Sequence, residues 1–435
     1  MNKRTISFFA TLSLAGTTCV GCKAKPEADR PIASDMAAMG PAGASTATMR
    51  SAPRLGPRTR PAGRTTAQRV SAPPPGLLLG PAPESSDLTA EARHLYGRIV
   101  CQGRGPDGPC KSLDQAIGAY RSKFLLPMRP WLARRRPRDL PPALLYPFSG
   151  GDLISALSIF PDQRQFLHFS LEHGGPATAI RGMSPALELQ ARWKLVWMAR
   201  NLLMAGESFS VDLKKQEQAG LPGTLPLLLV ALKVHGGTIT GLSYVKIKPD
   251  GSVVRYTRAE LTTGGPKAKR RSPKWADPHF SDRFSNVELR FRLPGDTQDR
   301  SVLHVAANLA NKGLAKRPGI LALIGRLGRH ALMIKAASYL MWGGGFSTIR
   351  DTIFAKAVWG ISDVSAPYPV WLMKNGWRLE VYGRFDCLKK KRMHASSIGW
   401  RLLFKRPKSR ALPFRYGYVD CKSQHHVVLL RRKKK

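Results

Sequence analysis

Acidic residues are scarce in this chain. Its 435 residues include 28 Asp and Glu against 70 Lys and Arg, which gives a formal net charge of +42. A chain this basic is attracted to polyanions such as nucleic acid, anionic lipid headgroups and acidic glycans. Because charge governs association and not fold, an Arg-rich composition with a solvated surface explains the excess equally well. The 43% hydrophobic content excludes a chain that is disordered throughout.

Long apolar runs are also missing. The apolar stretch over residues 6–16 follows Lys3-Arg4 and has the length of a signal-peptide core, below the roughly 20 residues that a membrane span needs. Cys19-Val20-Gly21-Cys22 comes next, and a small residue before a cysteine is typical of lipoprotein processing. We therefore predict a lipoprotein-type signal peptide over 1–22 and lipidation of Cys22, although Cys19 stands where Leu is expected. The alternatives are ordinary signal-peptidase cleavage or a buried first helix.

Cysteines are few beyond the signal: Cys101, Cys110, Cys387 and Cys421. They include no Cys-x-x-Cys, which argues against a zinc ribbon or a thioredoxin-type site. Outside the cytoplasm these four can pair in three ways. We predict Cys101–Cys110, around a turn-rich loop, and Cys387–Cys421, with each bond contributing about 2–4 kcal/mol.

Familiar catalytic motifs are absent as well. The sequence has no His-Glu-x-x-His, no Gly-x-Ser-x-Gly and no Walker loop, so we predict neither a metal nor a cofactor. The most site-like stretch is 146–152, where Ser149 and Asp152 flank two glycines ahead of an apolar run. One hypothesis makes Ser149 and Asp152 catalytic, with His168 or His173. The alternative is that Ser149 or Asp152 caps the following helix.

The chain divides into a leader, a linker and a body. Residues 23–88 are rich in Ala, Pro and Arg, which predicts a disordered tether of about 45 Å average span. The body, 89–435, carries 59 basic and 23 acidic residues. Its pattern is consistent with one unit or with a division near 315 into two subdomains.

Hydrophobic patterning predicts an α+β body, with antiparallel sheet packed by several helices. Helices are expected from 184, over 224–234, and over 318–342 and 346–358, the first of them apolar nearly all round and therefore buried. The strands expected are 243–248, 252–257, 287–293 and 302–305, which would form a four-stranded meander, followed by 377–382 and 425–430.

Four basic clusters stand out, at 134–138, 267–271, 389–392 and 431–435. In an exported protein they would suit anionic lipid, lipopolysaccharide, acidic polysaccharide or extracellular DNA. Aromatic residues are not interleaved with them, so the sequence does not indicate specific nucleic-acid recognition. The alternative is that these clusters are solvated loops.

The segments 146–152 and 335–341 together resemble an uncharacterised family of exported bacterial proteins, often labelled lipoproteins. Its members pair a Phe-Ser-Gly-Pro-Asp segment with Lys-Ala-Ala-Ser-Tyr-Leu-Met, and the similarity runs over about 140–430. The resemblance implies export and a shared fold but no established activity. Gly151 stands where Pro is expected, Asn308 where Asp is expected, and 362–367 matches an acidic stretch only in part.

These features together predict a lipoprotein of the bacterial cell envelope, anchored to a membrane at its periplasmic face or at the cell surface. We favour a binding or structural role over catalysis. The alternatives are a hydrolase-like enzyme using Ser149 and Asp152, and a binder of anionic polymers. Nothing in the sequence indicates an oligomeric state.

Overall fold

Ten strands form one sheet through the middle of the body. A computed structural model describes residues 83–101, 108–205, 221, 223–262, 282–385, 396–405, 410–416 and 425–433. The strands are β1 Ala143–Tyr146, β2 Gln165–Ser170, β3 Thr238–Ile247, β4 Val253–Arg255, β5 Val287–Arg292, β6 Arg300–Ala306, β7 His330–Ile334, β8 Ala357–Ser362, β9 Trp377–Arg384 and β10 His425–Arg432. Their order across the sheet is β4-β3-β5-β6-β2-β1-β7-β8-β10-β9.

The sheet is antiparallel at its two sides and parallel at its centre. β4, β3, β5 and β6 pair antiparallel in that order. The four predicted strands therefore share one antiparallel region, but the predicted meander was wrong, because β3 lies between β4 and β5 and β4 is at the edge of the sheet. β8, β10 and β9 are antiparallel at the other side. The five central strands, β6-β2-β1-β7-β8, are all parallel to their neighbours. Helices and a largely antiparallel sheet make the fold α+β, as the sequence predicted.

Twelve α-helices lie within the described residues. They are α1 Thr89–Ile99, α2 Gly108–Tyr120, α3 Leu126–Ala133, α4 Leu153–Ile159, α5 Pro185–Ala205, α6 Leu225–His235, α7 Arg258–Thr262, α8 Asn311–Ala315, α9 Pro318–Leu327, α10 Ser347–Lys356, α11 Pro369–Lys374 and α12 Ser396–Phe404. A π-helical turn, Arg121–Leu125, joins α2 to α3. The predicted starts of α5 and α6 are confirmed, and Gly236 ends α6 at a φ of 72°.

Helices cover both faces of the sheet and give the body two hydrophobic cores. Helices α1 to α6 contribute to the first core, against alternate residues of the central strands such as Leu144 and Tyr146. Helices α8 to α12 contribute to the second, against the residues between them, such as Leu145. Leu88, in the segment that the sequence assigns to the linker, is buried, and its amide donates to the Leu242 carbonyl at 2.9 Å.

Strands β1 and β7 are neighbours whose following segments leave in opposite directions. β1 leads through α4, on the first core, to β2. β7 leads through α10, on the second core, to β8 on the other side. The crevice between two such diverging segments, outside the carboxyl ends of the strands, is where open parallel sheets usually bind ligands.

Two predicted helices were wrong in extent. The helix expected over 318–342 stops at Leu327, because Gly328 takes a φ of 70°, and the fully buried strand β7 follows. The helix expected over 346–358 ends at Lys356, where β8 begins. Strands buried on both faces are apolar without alternation, so their sequence does not differ from that of a buried helix.

Helix α5 was expected to be buried nearly all round, and this was wrong for one face. Leu189, Trp193 and Trp197 are 43–45% exposed and follow one another every fourth residue. The opposite face packs against α1, α2 and α6.

No helix in the described parts of the chain is long and apolar enough to cross a membrane.

One of the two predicted disulfides lies in the described residues. Cys101 and Cys110 are joined, with their Cα atoms 5.5 Å apart, and both side chains are buried. Cys387 and Cys421 lie outside the described residues, as do Cys22 and the basic clusters 267–271 and 389–392.

Candidate functional site

An ion pair lies in the crevice between β1 and β7. Lys335 Nζ is 2.9 Å from Asp152 Oδ2, and each side chain is only 3% exposed. Asp152 comes from the loop after β1, and Lys335 directly follows β7. The pair therefore joins the two segments that diverge from the carboxyl edge of the parallel strands.

Asp152 has partners for both carboxylate oxygens. It is the N-cap of α4, where Oδ1 accepts from the Ser155 amide at 3.0 Å. Oδ2 accepts from Lys335 and from the Tyr146 hydroxyl at 3.3 Å. Burial first, and then the charge of Asp152, hold the pKa of Tyr146 well above its usual value. The predicted helix cap is thus present, and the carboxylate is fully engaged in it and in the ion pair.

Lys335 reaches a hydroxyl and an aromatic ring as well. Its Nζ donates to Ser155 Oγ at 2.9 Å and lies 5.9 Å from the centre of the Tyr416 ring. Among the described residues the buried Tyr416 hydroxyl finds no hydrogen-bond partner. Burial, followed by the charges of Asp363 and Asp152, raises the pKa of Tyr416 well above its usual value. An unpartnered buried hydroxyl beside a charged pair is unusual, because it carries a desolvation cost of about 1–3 kcal/mol.

Ser149 faces a backbone carbonyl and not a base. Its hydroxyl donates to the Phe169 carbonyl at 3.3 Å, its amide donates to the same oxygen at 2.7 Å, and the side chain is 2% exposed. Phe148, just before it, has a φ of 56°, and Gly151 has a φ of 89°. Non-glycine residues with positive φ are uncommon and concentrate at functional turns.

The candidate histidines are His168, on β2, and His173, in the loop that follows β2. Among the described residues, neither Ser149 nor Asp152 hydrogen-bonds to a histidine. His173 Nδ1 is 2.7 Å from Ser285 Oγ. His168 is in register with His304 on β6, its ring is fully buried, and neither of its ring nitrogens has a hydrogen-bond partner in the described part of the chain. Burial lowers the pKa of His168 to about 3 and that of His304 to about 4, so both are neutral at pH 7.

The carboxyl end of β8 adds another buried polar loop. Asp363 and Ser365 are fully buried, and Val364 between them has a φ of 77°. The Asp363 carbonyl accepts from His426 Nε2 at 3.0 Å. Three parallel strands, β1, β7 and β8, thus end in loops of buried polar side chains.

Sequence reasoning missed Lys335 and Tyr416 as site residues. Lys335 opens the second segment of the family resemblance, which was a usable signal for it. No sequence signal indicated Tyr416, because it lies between segments that have no clear hydrophobic periodicity. In the structure the two resemblance segments meet, since Ser338 Oγ also donates to the Pro147 carbonyl at 3.1 Å.

The chemistry available to this arrangement is limited. An ammonium paired with a carboxylate at 2.9 Å has no lone pair with which to take a proton from Ser155 or Ser149. Within the described residues no three His, Cys, Asp or Glu side chains gather in a way that would hold a metal ion. Comparisons with family models, curated proteins and solved structures found no match. The family resemblance therefore stays a prediction.

Proposed function

We propose that this protein is exported, held at a membrane through a lipid on Cys22, and has a binding role there. The observation that carries export is the buried Cys101–Cys110 disulfide. Disulfides persist in oxidising compartments outside the cytosol and are rare within it. The predicted signal peptide ending at Cys22 supports the same location.

The site geometry supports binding over hydrolysis. A hydrolase of the predicted kind needs Ser149 activated by a nearby base, with that base oriented by Asp152. Ser149 instead donates to a carbonyl, and Asp152 caps α4 and pairs with Lys335. The Asp152–Lys335 pair joins the segments leaving β1 and β7 across the crevice, at the edge where open parallel sheets usually bind ligands.

Mass spectrometry of the mature N-terminus tests the anchor. We expect a chain that begins at Cys22 and carries acyl chains, and a chain that keeps residues 1–21 when cells are treated with globomycin. The Cys22→Ala variant is the control and should show neither acylation nor the globomycin effect. An unmodified mature chain that begins at any other residue would contradict the proposal.

An active-site probe tests the catalytic alternative. A fluorophosphonate that labels activated serines should leave the full chain unlabelled, because none of the described residues places a base within hydrogen-bonding distance of Ser149. Labelling that the Ser149→Ala variant abolishes, while Ser155→Ala retains it, would replace the binding role with a hydrolase. A known serine hydrolase in the same reaction controls for the reactivity of the probe.

A further inference from the structure

Two basic clusters that are far apart in the sequence meet on one surface. Arg431 lies near the end of β10, and Arg135 lies just after α3. Arg431 Nη2 donates to the Arg135 carbonyl at 2.5 Å. Residues 134–138 and 431–433 therefore lie side by side, although almost 300 positions separate them. Arg378 on β9 is in register with Arg431, so the two side chains lie on the same face of the sheet. We call the residues Arg134, Arg135, Arg138, Arg378, Arg431 and Lys433 the arginine surface.

Most cations of the arginine surface lack an acidic partner. Arg431 pairs with Glu380 at 2.7 Å, and neighbouring Arg136 pairs with Asp162. In the described part of the chain no carboxylate pairs with the other five members. Arg134, Arg138, Arg378 and Lys433 are exposed. Residues 134–140 contain four arginines and one carboxylate, that of Asp139, so the charge of the surface is strongly positive.

Aromatic rings hold part of this surface in place. The Arg135 guanidinium lies 4.3 Å from the centre of the Trp131 ring and 5.1 Å from that of Tyr382. The Arg410 guanidinium lies 5.6 Å from the centre of the Tyr382 ring and donates to the Tyr382 hydroxyl at 3.2 Å. Tyr382 and Trp131 are themselves buried. They fix the arginines but present no ring on which a nucleic-acid base could stack.

We propose that the arginine surface binds the phosphate headgroups of an anionic membrane. Guanidinium groups match phosphate through paired hydrogen bonds, and basic residues near an anionic surface each favour binding. The choice of a membrane over other polyanions rests on the proposed function, because a lipid on Cys22 would keep the body within reach of headgroups. A rigid basic face without exposed rings suits a layer of phosphates better than it suits single-stranded nucleic acid.

Vesicle co-sedimentation of the full-length chain tests the surface. Vesicles of 30% phosphatidylglycerol and 70% phosphatidylcholine are compared with pure phosphatidylcholine, so that any insertion of the leader is common to both. We expect anionic vesicles to bind the chain more tightly, and the preference to fall steeply with salt. The Arg134→Ala/Arg138→Ala/Arg378→Ala/Lys433→Ala variant should weaken binding to anionic vesicles by at least about tenfold.

A matched variant controls for total charge. Lys312→Ala/Lys316→Ala/Arg326→Ala/Arg329→Ala removes four exposed charges around α8 and α9 and should weaken binding much less. Equal losses in the two variants would overturn the proposal, since the attraction would then be non-specific. Tighter binding of duplex DNA than of anionic vesicles at the same salt would overturn it in favour of a nucleic-acid partner. The assay requires neither export nor lipidation, so its failure is distinct from failure of the proposed function.

Discussion

The Asp152–Lys335 pair is the residue-level feature with the largest expected effect on stability. Both charges are almost completely buried, so removing one leaves the other without compensation. We expect Lys335→Met to lower the free energy of unfolding by about 3–5 kcal/mol. Guanidinium unfolding of the purified chain, followed by circular dichroism, measures the loss.

A double variant separates the charge from the helix cap. Asp152→Asn/Lys335→Met buries no charge and keeps a good N-cap residue for α4, so it should lose clearly less stability than Lys335→Met alone. If the double variant is the less stable of the two, the pair is not the compensated charge described above.

His168 makes the stability of the fold depend on pH. Its folded pKa is about 3, below the value of 6.5 expected for an exposed histidine, because burial opposes the charged form. As the pH falls below 6.5, His168 therefore becomes protonated in the unfolded chain but stays neutral in the folded chain. Above pH 6.5 this group leaves the free energy of unfolding unchanged. Between about pH 6 and pH 4 the free energy of unfolding falls by about 1.4 kcal/mol for each pH unit.

The His168→Phe variant tests this dependence. The phenyl ring replaces two unpartnered buried nitrogens, so we expect equal or higher stability at pH 7 and a flatter loss towards pH 4. Urea unfolding at a series of pH values measures both effects. His94→Phe, at an exposed position on α1, should leave the slope as it is, and an unchanged slope in His168→Phe would refute the assignment.

At the scale of elements, one glycine sets how α6 begins. Gly223 has a φ of 83°, and a Cβ there would lie 2.4 Å from the carbonyl oxygen of Gly174. Gly295, in the turn between β5 and β6, has a φ of 86° but open space around it. Gly295→Ala should lower the free energy of unfolding by about 1–2 kcal/mol, because alanine is disfavoured at a positive φ. Gly223→Ala should cost more, as thermal unfolding of both variants would show, and equal costs would contradict the close approach.

The sequence predicts the two sides of the sheet better than its centre. Strands β3 to β6, and strands β9 and β10, have polar residues alternating with apolar ones, or clear turns between them. β1, β2, β7 and β8 are covered on both faces, so they lack alternation, and β7 was taken as part of a helix. The crevice could not be predicted either. Its position depends on β1 and β7 being neighbours, and the sequence of a strand does not indicate which strand will lie beside it.

The candidate site was predictable in part. Asp152 was found from the turn in which it lies, and its role as a cap was the stated alternative. Lys335 was noticed only through the family resemblance, because a single lysine after an apolar run has no local signature. Ser149 was selected for its hydroxyl, whereas only the fold shows that a carbonyl of the neighbouring strand accepts from it.

At the scale of the whole molecule, acidic and basic residues are distributed differently. Glu91, Glu188 and Glu288 are buried and pair with arginines. Several of the scarce carboxylates thus neutralise arginines within the fold, and many of the other Lys and Arg side chains among the described residues are exposed. This distribution explains why a chain with a net charge of +42 can fold compactly and still attract polyanions.

The Cys101–Cys110 disulfide should stabilise the folded chain, and such bonds persist in oxidising compartments. Cys101→Ser/Cys110→Ser should lower the free energy of unfolding by about 2–4 kcal/mol. Thermal unfolding with and without reductant measures the effect on the parent chain. The variant should not respond to reductant at this bond, and a parent chain equally stable in both conditions would show that the bond contributes nothing.

Export itself is tested most directly by the state of these two cysteines in living cells. Thiols are trapped with acid and then labelled with a maleimide polymer in a Cys387→Ala/Cys421→Ala chain, with and without prior reduction. We predict that Cys101 and Cys110 label only after reduction, as expected for a protein folded outside the cytosol. Ready labelling of both without reductant would contradict export, and with it the membrane-tethered binding role.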